Sequence, residues 1–189
     1  MSNFSAERMA EHTLSALQEH GCPLADGLTK SELAAAEDRV SCAFPPDLAA
    51  LLQTALPMGS RYPNWREPDG DSLQGFIEAP IDRIVFDIHN TDFWHPDWPA
   101  RPGDDEEAEA VARSAFAKVP PVIPLFSHRY LVSLPVRAGN QVLSIYQTDV
   151  IVYGTDLANW ADHEFRDGRT NLEPIAELEF WDHLLYEAM

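Results

Sequence analysis

Positive charge is scarce in this chain relative to negative. Lysine and arginine together number 13 against 31 aspartates and glutamates, a formal net charge of −18. Extended contact with nucleic-acid phosphates or an anionic lipid surface needs clustered cations, so neither is an expected partner. The sign suits a cationic protein partner, and it also suits plain solubility. Cysteine is nearly absent, with Cys22 and Cys42 the two examples. They form no CxxC, no zinc-type Cys/His pairing and no disulfide framework, so both are expected to be reduced thiols. No apolar run approaches the roughly 18 residues of a bilayer span. Residues Met1 to Arg8 show no basic segment followed by an apolar stretch, which makes the cytoplasm the expected compartment. The nine glycines are scattered. Neither GxxxxGK[ST] nor GxGxxG occurs, and nucleotide binding has no support. A GxSxG elbow is absent too.

What is present is enough to build a core. With 189 residues, 45% of them hydrophobic, the chain is the length of one domain at about 150 residues per domain. Apolar spacing predicts a helix from Phe4 to about His20, ended by Gly21 and Pro23. Thr29-Lys30-Ser31-Glu32 matches a capping box and should start a second helix. Pro45-Pro46 closes that segment and opens a third, with Leu48, Leu51, Leu52, Ala55 and Leu56 on one stripe. Beyond Pro57 the breakers Gly59, Pro63, Pro68, Gly70 and Gly75 interrupt any long helix. Phe76-Ile77 and Ile81 to Ile88 read as strands. Asn90 to Gly103 reads as a long, aromatic-rich loop packed on the domain, and long loops are often functional. Asp104 to Lys118 is predicted helical.

Val122-Ile123, Tyr130 to Val136 and Val142 to Tyr153 are the remaining strand runs, with Ala138-Gly139-Asn140 as a turn. A short helix around Leu157, Trp160, Ala161, Glu164 and Phe165 follows. A last one after Pro174 presents Ile175, Leu178, Trp181, Leu184 and Leu185. Helices at both chain ends around a run of strands predict an α+β fold with a mostly antiparallel sheet.

Four groups of residues could carry chemistry. Asp87, His89, Asp92, His95 and Asp97 mix carboxylates with imidazoles, as a divalent-metal site would, but match no established ligand spacing. No metal or other cofactor is expected. Ser127, His128 and Ser133 invite a hydrolase reading without the nucleophile context, and His128 is expected to order a loop. Arg129 is expected to pair with Asp149 or another carboxylate, because a partly buried arginine needs a counter-charge. Finally, Asp104, Asp105, Glu106, Glu107 and Glu109 crowd a helix start. Acids there complement the helix dipole, yet one or two suffice, leaving a surplus that could dock a basic partner.

A wider pattern joins these groups. Phe44-Pro45-Pro46-Asp47-Leu48, the stretch from Phe93 to Pro102 with Trp94, Trp98 and Arg101, Pro121 to Leu125, His128-Arg129-Tyr130-Leu131, Gly139 to Ile145 and Gln147 to Leu157 with Asp149 resemble, in order, a bacterial branch of the SUKH superfamily. The resemblance runs from about Phe44 to Phe165. Pro99 stands where that branch has glycine, and Gln141 where it has proline. It implies a single α+β domain over 1–189. A helical extension would occupy 1–28, the family-like core 29–165 and a C-terminal helix 166–189, the sheet being bent and mostly antiparallel.

The resemblance also implies no enzymatic activity and no catalytic residues to carry over. Members include fungal cell-wall-assembly regulators and bacterial immunity proteins inferred to neutralise toxins, often nucleases. The leading expectation is therefore a cytoplasmic binding protein, an immunity protein whose acidic surface meets a basic toxin. Asp104, Asp105, Glu106, Glu107, Glu109, Trp94 and Trp98 are its candidate contacts. A housekeeping adaptor, linked to the cell envelope and using the Trp94/Trp98 loop as a ligand groove, is the alternative. A metal-dependent hydrolase built on His89 and His95 is the remote one.

Overall fold

The computed structural model describes residues 3–168, 178 and 180–187. Among them the chain order is α1 (Asn3–Glu19), β1 (Leu24–Asp26), α2 (Lys30–Val40), α3 (Pro46–Thr54), β2 (Ala55–Pro57), α4 (Asp71–Asn90), α5 (Asp105–Phe116), β3 (Val122–Phe126), β4 (Arg129–Val132), β5 (Val142–Tyr146), β6 (Asp149–Gly154), α6 (Leu157–Phe165) and α7 (Phe180–Glu187). The class is α+β. No helix among the described residues is long and apolar enough to cross a membrane.

The capping box forms as spelled. Thr29 Oγ1 accepts from the Glu32 N–H at 3.2 Å, and the Thr29 N–H donates to Glu32 Oε2 at 2.7 Å. The α3 stripe holds for Leu48, Leu51 and Leu52. Ala55 and Leu56 are buried as well, but on β2, where the chain turns extended to pair with β1. That pairing, missed in the sequence, explains Gly27: a Cβ there would lie 2.0 Å from the Gln53 carbonyl oxygen. Of the expected helical extension over 1–28, α1 is helical but Leu24–Asp26 forms β1, and Ala16 and Leu17 of α1 are fully buried in the core.

The largest correction concerns α4. Residues read as two strands form one helix of 20 residues. Leu73, Ile77, Ile81, Ile84, Val85 and Ile88 recur at helical spacing and face inward. Gly75 and Pro80 look like breakers but are accommodated. Pro80 has no N–H to give the Phe76 carbonyl four residues back. The Tyr130 hydroxyl, reaching across from β4, donates to that carbonyl at 3.1 Å instead.

The four-stranded sheet runs in the order β3-β4-β5-β6, antiparallel throughout. The long run from Val142 to Tyr153 divides into two strands at Gln147-Thr148. Ser127-His128 makes the corresponding turn between β3 and β4. Ser127 (φ 52°) and Gln147 (φ 59°) both adopt left-handed backbone there. Because side chains alternate along a strand, Ile123, Leu131 and Val142 join one core cluster with α1, α2, α3 and α6. Tyr130, Leu143, Ile145, Val150 and Val152 join a second with α4, α5 and α7. Both sheet faces are thus covered over much of their area. Gly154 ends β6 so close to α6 that a Cβ would lie 2.7 Å from Trp160 Cβ.

The last helix carries Trp181, Leu184 and Leu185 in the core as expected, while Ile175 lies outside the described residues. Cys22 and Cys42 are free thiols, and burial pushes the Cys42 thiol up to about 11.

Replacing Tyr130 with phenylalanine keeps the ring and removes the hydroxyl that donates to the Phe76 carbonyl beside Pro80. The expected loss is about 1–2 kcal/mol of unfolding free energy, the cost of stranding a buried acceptor, read from denaturant midpoints. An unchanged midpoint would show that the carbonyl is satisfied some other way.

Candidate functional site

The acidic start of α5 is the site the sequence singled out, and its charges divide into working and free ones. Asp104 is the N-cap: its Oδ1 accepts from the Glu106 and Glu107 N–H groups, both at 3.0 Å. Asp105 lies 3.5 Å from Arg101, which also contacts Asp92 at 3.2 Å and donates to the Ile88 carbonyl. Glu109 pairs with Arg113 at 2.8 Å and approaches His89 at 3.5 Å. Arg113 in turn reaches Asp82 of α4 at 2.8 Å. The side chains of Glu106 and Glu107 are exposed, with no cationic partner among the described residues. The helix dipole needs little of this charge. What remains is a small acidic projection at a capped helix start.

The aromatic loop beside it is largely internal. Trp98 is 9% exposed and belongs to the second core cluster, stacked on Phe180 with edge contacts to Phe93 and Trp94. Trp94 is half-buried and donates Nε1–H to the Pro99 carbonyl at 2.8 Å. The expected Trp94/Trp98 groove is therefore closed, and Trp98 is not presented at the surface. Pro102, next to Arg101, leads into the α5 cap and is half-buried.

The carboxylate and imidazole cluster does not converge. Asp87 is buried and accepts from Thr148 N–H and Oγ1–H at 2.9 and 2.7 Å. His89 faces Glu109, Asp92 faces Arg101, and the Asp97 side chain is 84% exposed. His95 is fully buried and stacked on Phe180 with centroids 4.4 Å apart. The Asp97 N–H donates to His95 Nδ1 at 3.3 Å, so Nε2, 3.2 Å from the Phe180 carbonyl, is the protonated nitrogen. No group of three His, Cys, Asp or Glu among the described residues is placed to hold a metal ion.

Arg129 finds a carboxylate, but Asp149 is not the one. Its Nε donates to Glu164 of α6 at 3.1 Å and its Nη1 to Ser144 Oγ at 2.9 Å, while Cζ lies 3.6 Å from the centre of the Tyr153 ring. Tyr153 stacks on His163 at 4.2 Å. Asp149 pairs with Tyr146 at the far end of the β5–β6 hairpin and is exposed. His128 stands 3.2 Å from Ser127 Oγ, and burial, helped by the charges of Arg129 and Arg83, holds its imidazole below the ordinary histidine range. Ser133 is buried and donates to the Pro121 carbonyl.

No family model, no curated protein and no solved structure matches this chain. Two residues the sequence reading passed over, Arg61 and Arg83, line a common cleft. They lie on separate segments, and no motif or spacing links them.

Arg129→Lys retains the charge but not the fork that serves Glu164 and Ser144 together. With both ion-pair side chains mostly buried, at 11% and 16% exposure, the variant is expected to lose about 1–3 kcal/mol of stability. Unchanged stability combined with lost partner binding would instead make Arg129 a contact residue.

Proposed function

We propose that this chain is a non-catalytic cytoplasmic binding protein of the SUKH type, an immunity protein that neutralises a basic, nuclease-type toxin by covering it with an acidic surface. The class rests on the ordered sequence blocks from Phe44 to Phe165. The observation that carries the mode of binding is the first turn of α5, where Glu106 and Glu107 stand exposed and unpaired beside Asp105 while Asp104 fixes the helix start. Rigid placement matters because charge held in register by a cap and by the Glu109–Arg113–Asp82 chain pays less ordering entropy on binding. The net charge of −18 adds a long-range field of the same sign, which raises the encounter rate with a cation and makes it salt-sensitive.

The test is capture of partners by the tagged full-length chain from its native cells at low salt, with a high-salt wash and identification of co-purifying chains. The expected result is a secreted chain with a basic terminal domain, released by salt, whose toxicity the tagged protein suppresses. Glu106→Lys/Glu107→Lys should lower the association rate on the order of tenfold without changing the fold. Salt-resistant capture of resident envelope proteins, with the double variant binding as well as wild type, would contradict the proposal and favour the housekeeping adaptor.

A further inference from the structure

Five arginines of this acidic chain are committed to carboxylates: Arg66 to Glu32, Arg101 to Asp92, Arg113 to Asp82, Arg129 to Glu164 and Arg166 to Asp162. Arg61 and Arg83 are not. Neither has a carboxylate within ion-pair distance among the described residues, yet both line one surface cleft of about 260 Å³. Arg61 rests its guanidinium over the Phe126 ring, 4.6 Å from the centroid. Arg83 donates Nη1–H to the Ile145 carbonyl at 3.0 Å and lies 5.6 Å from the Tyr146 ring centre. Each guanidinium has five N–H donors, so these contacts hold the arginines in place and leave most donors open. Ser60, Ser72 and Ser127 also line the cleft, and no carboxylate does.

The surrounding backbone preserves this opening. The Ser127 N–H donates to the Arg61 carbonyl at 2.7 Å, tying the Arg61 segment to the β3–β4 turn. Along α4, Ser72, Gly75, Ala79 and Arg83 follow one another at three- and four-residue steps, which puts them on one helix face. Gly75 is the informative member. Glycine is a poor helix-interior residue compared with alanine, and a Cβ at this position would meet no atom within 4 Å. Neither backbone conformation nor packing calls for the glycine. Its missing side chain leaves room over the cleft.

We infer that this cleft binds a small oxyanion, a phosphoryl group, between the Arg61 and Arg83 guanidiniums and the three serine hydroxyls. Two planar forks with two positive charges match a phosphoryl dianion in geometry and charge. The cleft is smaller than the roughly 300–1,000 Å³ of pockets for drug-sized ligands, so it takes a headgroup rather than a large molecule. The site is separate from the acidic start of α5 and does not depend on the toxin-binding reading. His128, adjacent to Ser127, gives an internal reporter. Burial and the charges of Arg129 and Arg83 oppose its protonation, with Glu164 acting the other way. An anion beside Arg83 must raise its pKa.

The experiment is amide and histidine NMR of the full chain, titrated with inorganic phosphate and with glycerol phosphate against chloride at matched ionic strength. Saturable shifts at Ser60, Ser72, Gly75 and Ser127 are expected, with an upward move of the His128 pKa. Arg61→Gln removes one fork from an exposed position. Gly75→Leu fills the opening while favouring the helix. Each should weaken binding by about tenfold or more and leave the remaining spectrum in place. Tighter binding of glycerol phosphate would identify a phosphomonoester ligand, and equal binding a free oxyanion, both within the inference. Shifts that never saturate, or saturable binding of wild-type strength in both variants, would overturn it.

Discussion

The structure depends on how α4 is fastened to the sheet. Pro80 removes one rung from the helix, and the Tyr130 hydroxyl replaces it at the Phe76 carbonyl. Two turns beyond Phe76, Arg83 bonds the Ile145 carbonyl of β5, and one turn beyond that Asp87 holds the backbone and hydroxyl of Thr148 in the β5–β6 turn. Three polar ties spread along the helix, at Phe76, Arg83 and Asp87, leave α4 a single rotation and a single register against the strands. Such ties count for more than apolar contact in fixing position, because a buried donor or acceptor left unpaired is costly. A second buried aspartate works likewise. Asp47 of α3 accepts from the Gly139 and Leu48 N–H groups, although burial pushes its carboxyl above the ordinary range.

Both proposed binding surfaces follow from this placement. The outer side of α4 presents Asp82, which holds Arg113 and through it Glu109, so the acidic first turn of α5 is oriented by α4. Its other exposed face, Ser72, Gly75, Ala79 and Arg83, walls the arginine cleft. The chain thereby separates charge of the two signs. Carboxylates in excess of cap and ion-pair needs stand at the start of α5, and two guanidiniums without carboxylate partners meet in the cleft. In a molecule with so few cations, that meeting is the least expected feature of its electrostatics.

Local signals in the sequence were legible where they were chemically complete. Thr29 and Glu32 specify a cap that needs no tertiary partner, and Asp104 does the same for α5. The apolar runs between Val122 and Tyr153 located the sheet, although β4 ends at Val132, short of the expected Val136. They missed the Gln147-Thr148 turn, because neither residue is a standard left-handed turn former and the tie from Asp87 is 61 positions away. α4 was missed for a related reason. Gly75 and Pro80 are breakers in isolation, and what makes them tolerable is a tyrosine hydroxyl on a strand and an open cleft. The loop carrying Trp98 and His95 was expected to pack on the domain, and Phe180 is the partner that draws both into the core. Arg129 was rightly expected to need a counter-charge. Which carboxylate supplies it depends on how α6 packs beside β6, and no spacing encodes that.

On the proposed function, the acidic first turn of α5 steers a basic protein partner onto this chain. The most direct test is the association rate constant with the captured partner measured across ionic strength. The rate should fall steeply as salt rises while the dissociation rate changes little. An association rate independent of salt would contradict it.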